Sequence, residues 1–358
     1  MGKAYEYFLK ASQNGSGYGS YSCGFILMKG SSDIPRDIEK GLSMFRLAVE
    51  QNYKAATRDL ARYYYSLETE EDNRKALDYY LQYIEYNPKD TDTLLHIGLI
   101  YESGLGVPLN IDLARRYYER AAEQDETGMA YNFLGGTYMN DEETESNERK
   151  AVHYFQKAIE LGNTNAMFRI SYYLHNGKGG LQVDIPREIE LLTEASKRGN
   201  HQATYRLGLL FEDNESGMAQ NLELSVKYFQ LAADNGILAA INKMGELYLF
   251  GEVIPANLTK AISCFTAASE QGYGKASYWL GRLHTDGIGQ LEKDTQKAMN
   301  YYRKAIEQGY EEAREWMEQL QKNLVDETIT DIEIPQDKSD EELSLIHISE
   351  PTRRSYIS

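Results

Sequence analysis

The sequence predicts an all-α fold in which about eight helix-turn-helix repeats of 36–38 residues form an α/α solenoid. Three observations lead to this fold class. One small residue recurs every 36 or 37 residues, at Gly24, Ala61, Gly98, Gly135, Ser171, Gly208, Gly245 and Gly281. A second marker, usually glycine, recurs at spacings of 35 to 38 residues from Gly15 to Gly309. Between the markers, apolar residues follow the spacing of one helix face, and self-similarity at this period is typical of solenoids.

Each repeat is predicted to contain two antiparallel helices. The first helix of the last repeat places Ala276, Leu280 and Leu283 on one face, and Gly287-Ile288-Gly289 interrupts it. In the second helix, the residue 11 positions before the closing marker is small: Ala4, Gly41, Ala76, Ala114, Ala151, Ser225, Ala261 and Ala298, with Glu188 as the exception. The residue seven positions before it is large and apolar: Phe8, Phe45, Tyr80, Tyr118, Phe155, Leu192, Phe229, Phe265 and Tyr302. Residues four apart share a helix face, so both sets stack on one stripe, and the closing glycines suit a left-handed helix C-cap.

Several of these segments resemble a known repeat family. HIGLIYESGLGV (residues 96–107), ATYRLGLLFEDN (203–214) and ASYWLGRLHTDGIG (276–289) are similar to its first helix and loop. ARRYYERAAEQ (114–124) and AMNYYRKAIEQG (298–309) are similar to its second helix. The family is the Sel-one-like repeats, relatives of the tetratricopeptide repeats, whose shorter unit fits this period less well. The resemblance implies a right-handed superhelix that acts as an adaptor between other proteins. The second and fourth repeats depart from the pattern, with residues 67–70 and 141–143 in place of the glycine loop.

The chain is expected to divide into five parts. Residues 1–16 are the second helix of a partial repeat, either a capping helix or the remnant of a gene truncated upstream. Residues 17–309 form the eight repeats, and residues 310–322 form a C-terminal capping helix. Residues 323–342 hold eight acidic residues and one lysine without helical periodicity, so they are predicted to be a disordered tail. Residues 343–358, which begin LSLIHISEPTR, resemble the translation of a transposase-type sequencing adapter, and we exclude them as an assembly artefact.

The composition limits the classes of partner. The formal net charge is -17, and so acidic a surface repels phosphate backbones, so we expect no nucleic-acid binding. No apolar run approaches the roughly 18 residues of a membrane span. The two cysteines, Cys23 and Cys264, fall at packing positions and are predicted to be buried. Some secreted relatives carry a cysteine pair in every repeat; its absence here indicates a reducing compartment, so we expect a cytoplasmic protein. We also expect a monomer.

No sequence pattern predicts reaction chemistry. The five histidines outside the adapter-like segment are scattered over different repeats, with no pair at the spacing of metal ligands. Residues 177–180, GKGG, lack the spacing and the Ser or Thr of a phosphate-binding loop, and neither a nucleophile elbow nor an SxxK motif occurs. We therefore expect no catalytic residue, no metal and no cofactor.

The repeat alignment predicts where a partner binds. With the small marker of the first helix numbered position 8, positions 3, 7, 11 and 14 face the core, and positions 2, 6, 9 and 13 lie on the other side. The family resemblance implies that this other side lines a concave face. Its variable positions supply the candidate partner-binding residues: Arg62, His96, Leu99, Phe133, Arg169, Tyr172, Arg206, Lys243, Trp279 and Arg282. Leu99, Phe133 and Tyr172 are expected to form an apolar patch, and Arg169, Arg206, Lys243 and Arg282, with Trp279, a basic stripe.

The leading hypothesis is a non-catalytic scaffold that binds a partner protein or an extended peptide along this side. The basic stripe raises the hypothesis of an acidic peptide, with the chain's own tail as a competitor; the alternative is that these cations are ordinary solvated surface. Two other functions stay open. One is a hydrolase-like activity on cell-wall-related substrates, as in cysteine-rich relatives whose cysteines this chain lacks. The other is a regulatory subunit of an enzyme complex, which the sequence does not separate from a scaffold.

Overall fold

A computed structural model of the chain describes residues 2–213, 220–288 and 291–330, without the side chains of residues 324–330. Gly289, residues 331–342 of the acidic tail and the adapter-like segment lie outside the described residues. The described start of the tail differs from the prediction, because the last helix continues through residues 323–330. Within them the chain forms eighteen α-helices and no strand, which confirms the predicted all-α repeat fold. The helices are α1 Gly2–Gln13, α2 Gly17–Lys29, α3 Ile38–Glu50, α4 Ala55–Tyr65, α5 Glu70–Tyr86, α6 Thr91–Ser103, α7 Ile111–Ala122, α8 Met129–Met139, α9 Glu145–Glu160, α10 Thr164–Asn176, α11 Ile185–Lys197, α12 His201–Glu212, α13 Leu222–Asp234, α14 Leu238–Phe250, α15 Leu258–Glu270, α16 Gly274–Asp286, α17 Thr295–Glu307 and α18 Ala313–Thr330.

The helices pair as the repeat pattern predicts. Each complete repeat is an even-numbered helix that packs against the odd-numbered helix after it, from α2 with α3 to α16 with α17. Helix α1 packs on α2 as the second helix of a partial repeat, and α18 packs on α17 in the place of a first helix. The chain divides into two compact units, the first ending at Asn235 and the second starting at Gly236. Helices α1–α13 belong to the first unit and α14–α18 to the second.

Contact between the two helices of a repeat explains the small marker of the first helix. A Cβ atom added at Gly98 would lie 2.3 Å from the Tyr118 ring, and one at Gly281 would lie 2.6 Å from the Tyr302 ring. Four further pairs repeat this arrangement: Gly24 with Phe45, Gly135 with Phe155, Gly208 with Phe229, and Gly245 with Phe265. These six rings are buried. The glycine therefore lets the ring of the second helix lie directly on the backbone of the first helix.

The closing markers take the predicted left-handed conformation at seven of nine positions. Gly15, Asn52, Gly162, Gly199, Gly236, Gly272 and Gly309 have φ between 68° and 92°. Asn87 differs because Pro88 follows it, and a residue before proline is held in an extended conformation. At Asp125 the carboxylate instead accepts backbone N–H groups of Thr127 (2.8 Å) and Ala130 (2.7 Å), which caps the start of α8. The turn between repeats is therefore closed by a left-handed residue at seven positions and by other conformations at Asn87 and Asp125.

The prediction that both cysteines are buried is correct for Cys23 alone. Cys23 is fully buried, whereas Cys264 is half-buried because it precedes Phe265 on α15 and so points away from the packed stripe. Both thiols are unpaired. Burial raises the pKa of each thiol above its ordinary value.

Candidate functional site

The predicted binding side is a seam between successive first helices. Position 6 is half-buried in every repeat, from Ser22 to Trp279. In two repeats this residue contacts position 9 of the preceding first helix: the Trp279 Nε1–H donates to Glu246 (2.9 Å), and the Arg169 guanidinium lies over Gly136. The surface that a partner meets therefore depends on which residues occupy positions 6 and 9.

Arg206, on the first helix of the sixth repeat, is held by the core of the fifth repeat. Its guanidinium contacts the fully buried Glu188 carboxylate, with Nε and Nη2 both 3.1 Å from Oε1. The other carboxylate oxygen lies 3.0 Å from Nδ1 of His175. Glu188, the exception to the small-residue rule, therefore engages Arg206 of the next repeat.

The predicted cations of the second unit also have partners. The Glu246 carboxylate, which accepts from Trp279, pairs with Lys275 at 2.8 Å and lies 4.0 Å from Nζ of Lys243. The Arg282 guanidinium lies 3.9 Å from the ring centroid of Trp316 on α18. It also donates to the hydroxyl of Tyr278 at 3.0 Å and lies 3.4 Å from Asp286. These side chains form a network of their own along α14, α16 and α18.

Arg62 and His96 are similarly engaged near the start of the array. Arg62 forms an ion pair of 2.6 Å with Asp92, one repeat further on. His96 stacks on the ring of Tyr80 with 5.2 Å between centroids, and its Nδ1 lies 2.7 Å from the carbonyl oxygen of Asp92. Both residues join consecutive repeats.

Arg169 differs from these side chains. It is half-buried on α10, and its side chain makes no hydrogen bond or ion pair with any residue that the structure describes. It borders a groove of about 540 Å³, here called the central groove, whose apolar floor includes Leu99 and Phe133. The remaining lining residues are Glu102, Ser103, Leu109, Ile111, Gly136, Thr137, Asn140 and Asp141. Helices α6, α7, α8 and α10 of the first unit thus build one site.

The predicted apolar patch is only partly assembled in this groove. Leu99 and Phe133 line it together, and the Phe133 ring stacks on Tyr118 with 5.3 Å between centroids. Tyr172 lies in a separate cavity of about 140 Å³ beside Tyr138, where its hydroxyl accepts from Nζ of Lys178 at 3.1 Å.

Gly136 leaves room for the Arg169 guanidinium at the edge of the central groove. Every other repeat carries a large side chain at position 9: Phe25, Arg62, Leu99, Tyr172, Leu209, Glu246 or Arg282. Glycine inside a helix such as α8 costs about 0.8–1.0 kcal/mol relative to alanine, so helix propensity does not favour it. The predicted partner-binding residues did not include Gly136. The repeat alignment does indicate it, because Gly136 is a small residue at a position where the other repeats carry large side chains.

The two carboxylates of the groove are already engaged. The Asp141 carboxylate accepts from Nη2 of Arg115 at 2.7 Å, and this contact holds the pKa of Asp141 below its ordinary value. The Glu102 carboxylate accepts the hydroxyl proton of Tyr118 at 2.6 Å. Burial, with Glu102 adding to it, raises the pKa of Tyr118 far above its ordinary value, so the phenol stays a donor. Arg169 is therefore the groove's charged side chain that lacks a partner among the described residues.

No group of three or more His, Cys, Asp or Glu side chains among the described residues is arranged to hold a metal ion. None of the helices in the described part of the chain is long and apolar enough to cross a membrane.

Comparison with curated proteins gives short local matches. The chain is 33% identical over 78 residues to the Sel1-repeat-containing protein YjcO of Escherichia coli, which covers 21% of this chain and 34% of that protein. It is 40% identical over 70 residues to protein sel-1 homolog 2 of Rattus norvegicus, over 20% of this chain and 10% of the rat protein. The matches thus span about a third or less of these relatives.

Solved structures share the fold. A Sel1 repeat protein from Oxalobacter formigenes has a TM-score of 0.65 at 24% identity, over 88% of this chain and 90% of its own. The protective antigen c5321 of uropathogenic Escherichia coli has a TM-score of 0.58 at 20% identity, over 87% and 66%. The Sel1 repeat model matches residues 1–16, 18–53, 54–82, 93–126, 128–163, 164–200, 201–237, 238–273 and 274–310. This chain, with nine matched segments over most of its length, belongs to the Sel1 repeat family.

Proposed function

We propose that the protein is a non-catalytic adaptor that binds a segment of a partner protein in the central groove. Proteins with Sel1-like repeats generally mediate protein–protein interactions, which supports this class of function. The observation that carries the proposal is the groove itself, a recess of about 540 Å³ whose lining includes the apolar side chains of Leu99, Phe133 and Ile111. A groove of this size accommodates several partner side chains.

The polar groups of the groove favour binding over reaction. Arg115 donates to both Asp141 and Thr137, and its guanidinium lies 3.9 Å from the ring centroid of Tyr138. These contacts fix the end of α8 and form a rigid wall. Glu102 is likewise held by Tyr118. Side chains fixed in this way preorganise a binding surface, which lowers the entropy lost on association.

The sharpest test fills the groove by replacing Gly136 with leucine. The substitution restores the large side chain that other repeats carry at this position. It is expected to weaken binding of the partner by at least about tenfold, because the leucine and the Arg169 guanidinium that it displaces take up space in the groove. The fold is expected to keep its stability, since leucine favours helix over glycine by nearly 1 kcal/mol and the end of the flexible Arg169 side chain can move aside. A variant that loses both binding and stability would not show whether the groove itself is the binding site. Gly136→Leu is expected to lose binding alone.

The partner is first identified by placing a photoreactive amino acid at the exposed Leu109 on the groove rim. The purified partner is then titrated against the wild type, Gly136→Leu and the control Ala267→Leu, which adds the same bulk to an exposed position of α15. Thermal melting of each variant reports stability. Equal affinity of Gly136→Leu and wild type for the cross-linked partner would contradict the proposal.

The proposal includes a cytoplasmic, monomeric protein. The unpaired thiols of Cys23 and Cys264 support a reducing compartment. Oligomeric state is checked by light scattering of the purified chain, for which we expect the mass of one copy.

A further inference from the structure

We infer that the central groove selects peptide segments in which a carboxylate stands beside apolar side chains, with Arg169 as the residue that recognises the carboxylate. This inference rests on the proposed function and names the chemistry of the partner segment. It is narrower than a basic stripe along the whole array, because it assigns recognition of the anion to one side chain.

The Arg169 guanidinium lies against the backbone of α8 at Gly136 and not against an acidic side chain. A Cβ atom added at Gly136 would lie 2.4 Å from Nη1 of Arg169, so the guanidinium occupies the space that a side chain would take. No described residue gives it a hydrogen bond or an ion pair. Its planar fork of N–H donors is therefore held at the groove with its hydrogen-bonding capacity open.

The charges of the groove favour an anionic ligand. Asp141 is paired with Arg115, and Glu102 accepts from Tyr118. A ligand that covers Arg169 removes water from a cation, and burial of a charge without a partner is costly. A carboxylate removes this cost because its two oxygens match two N–H groups of the guanidinium. The ligand must therefore bring an anion to this end of the groove.

The rest of the groove specifies apolar neighbours of that carboxylate. Phe133 and Leu99 form the floor, and Ile111 and the exposed Leu109 line the side formed by the loop before α7 and its first residue. A segment that places its acidic residue on Arg169 thus places adjacent side chains on apolar surface. Arg206, Lys243 and Arg282 already have partners, so a long series of carboxylates at the repeat spacing is not required.

A random peptide library displayed on phage tests the inference on the full chain. Selection is carried out on the wild type, Arg169→Gln, Glu102→Gln and Gly136→Leu, with Arg187→Gln as the control that removes an exposed arginine from α11. We expect enrichment of peptides with Asp or Glu next to Leu, Ile or Phe. Recovered peptides are synthesised, and their affinity is expected to fall about tenfold in Arg169→Gln and to be unchanged in Arg187→Gln. Their affinity should also decrease with added salt.

The remaining outcomes distinguish the inference from the proposed function. Apolar peptides that bind Arg169→Gln as well as wild type, yet lose binding in Gly136→Leu, would overturn the inference and leave the adaptor function standing. Peptides rich in Lys or Arg that depend on Glu102 would also overturn it, because the groove would then recognise a cation. If no peptide depends on Gly136, both the inference and the proposed function are contradicted.

Discussion

Glu188 shows at the residue scale how one substitution changes the role of its neighbours. Other repeats carry alanine, glycine or serine at this position, where the two helices of a repeat meet. The Glu188 side chain is fully buried there and contacts Arg206 at 3.1 Å and His175 at 3.0 Å. A buried carboxylate without a cation costs several kcal/mol. Arg206 is therefore held in the structure by Glu188, whatever else it contacts.

Replacement of Arg206 with alanine is expected to lower the free energy of unfolding by about 3 kcal/mol, because Glu188 keeps only His175 as a partner. The double variant Glu188→Ala, Arg206→Ala is expected to recover most of this loss, since five complete repeats already have alanine at the first position. Urea denaturation of the two variants and the wild type measures the difference.

Arg187→Ala serves as the control for that cycle. Arg187 pairs with Glu190 on the surface, and exposed pairs contribute about 0–1 kcal/mol. A double variant that is no more stable than Arg206→Ala would show that Glu188 does not depend on Arg206.

At the scale of elements, the repeats differ in the loop that joins their two helices. In the third repeat, a Cβ atom at Gly106 would lie 2.2 Å from the carbonyl oxygen of Glu70, so the loop packs on the start of α5 in the preceding repeat. Gly179 packs in the same way on α9. Both glycines have positive φ, which this close approach requires. The second and fourth repeats carry acidic residues instead, and residues 66–71 and 139–146 are exposed.

Hydrogen exchange is expected to be faster in these two acidic loops than in the glycine loops. Backbone amides that lack close packing open more readily. The measurement compares residues 66–74 and 140–148 with residues 104–110 and 177–184 by mass spectrometry of the full chain. Equal protection of the two classes of loop would contradict the interpretation that the loops of the second and fourth repeats are less closely packed.

At the scale of the whole molecule, the chain consists of two compact units. Helices α1–α13 belong to the first unit and α14–α18 to the second. The stability of a solenoid is approximately a sum over its repeats and their interfaces, so the unit with more repeats is expected to be the more stable one. Both tryptophans, Trp279 and Trp316, lie in the second unit. Fluorescence therefore reports on that unit, whereas far-ultraviolet circular dichroism reports on all helices.

Chemical unfolding of the full chain is expected to give a lower denaturant midpoint by tryptophan fluorescence than by circular dichroism. Non-coincident transitions of two probes are the accepted sign that unfolding is not two-state. Coincident midpoints would show that the two units unfold as one continuous array.

The sequence by itself determined the repeat period, the helix pairs and the recurring small and aromatic positions. Leu99 and Phe133, at variable positions of successive first helices, were predicted to lie together, and they line one groove. Periodicity marked Gly98 and Tyr118 separately, and the structure shows that the two are in contact. This contact recurs along the chain because every repeat solves the same packing problem.

Only the tertiary structure decided which predicted cations have partners and where the seam opens. Arg62 pairs with Asp92 and Trp279 with Glu246, and each pair joins side chains of two different repeats. At the central groove, the guanidinium of Arg169 lies over Gly136 of the preceding repeat. These features depend on the identity of single side chains brought together by stacking, and periodicity carries no information about a contact that occurs once.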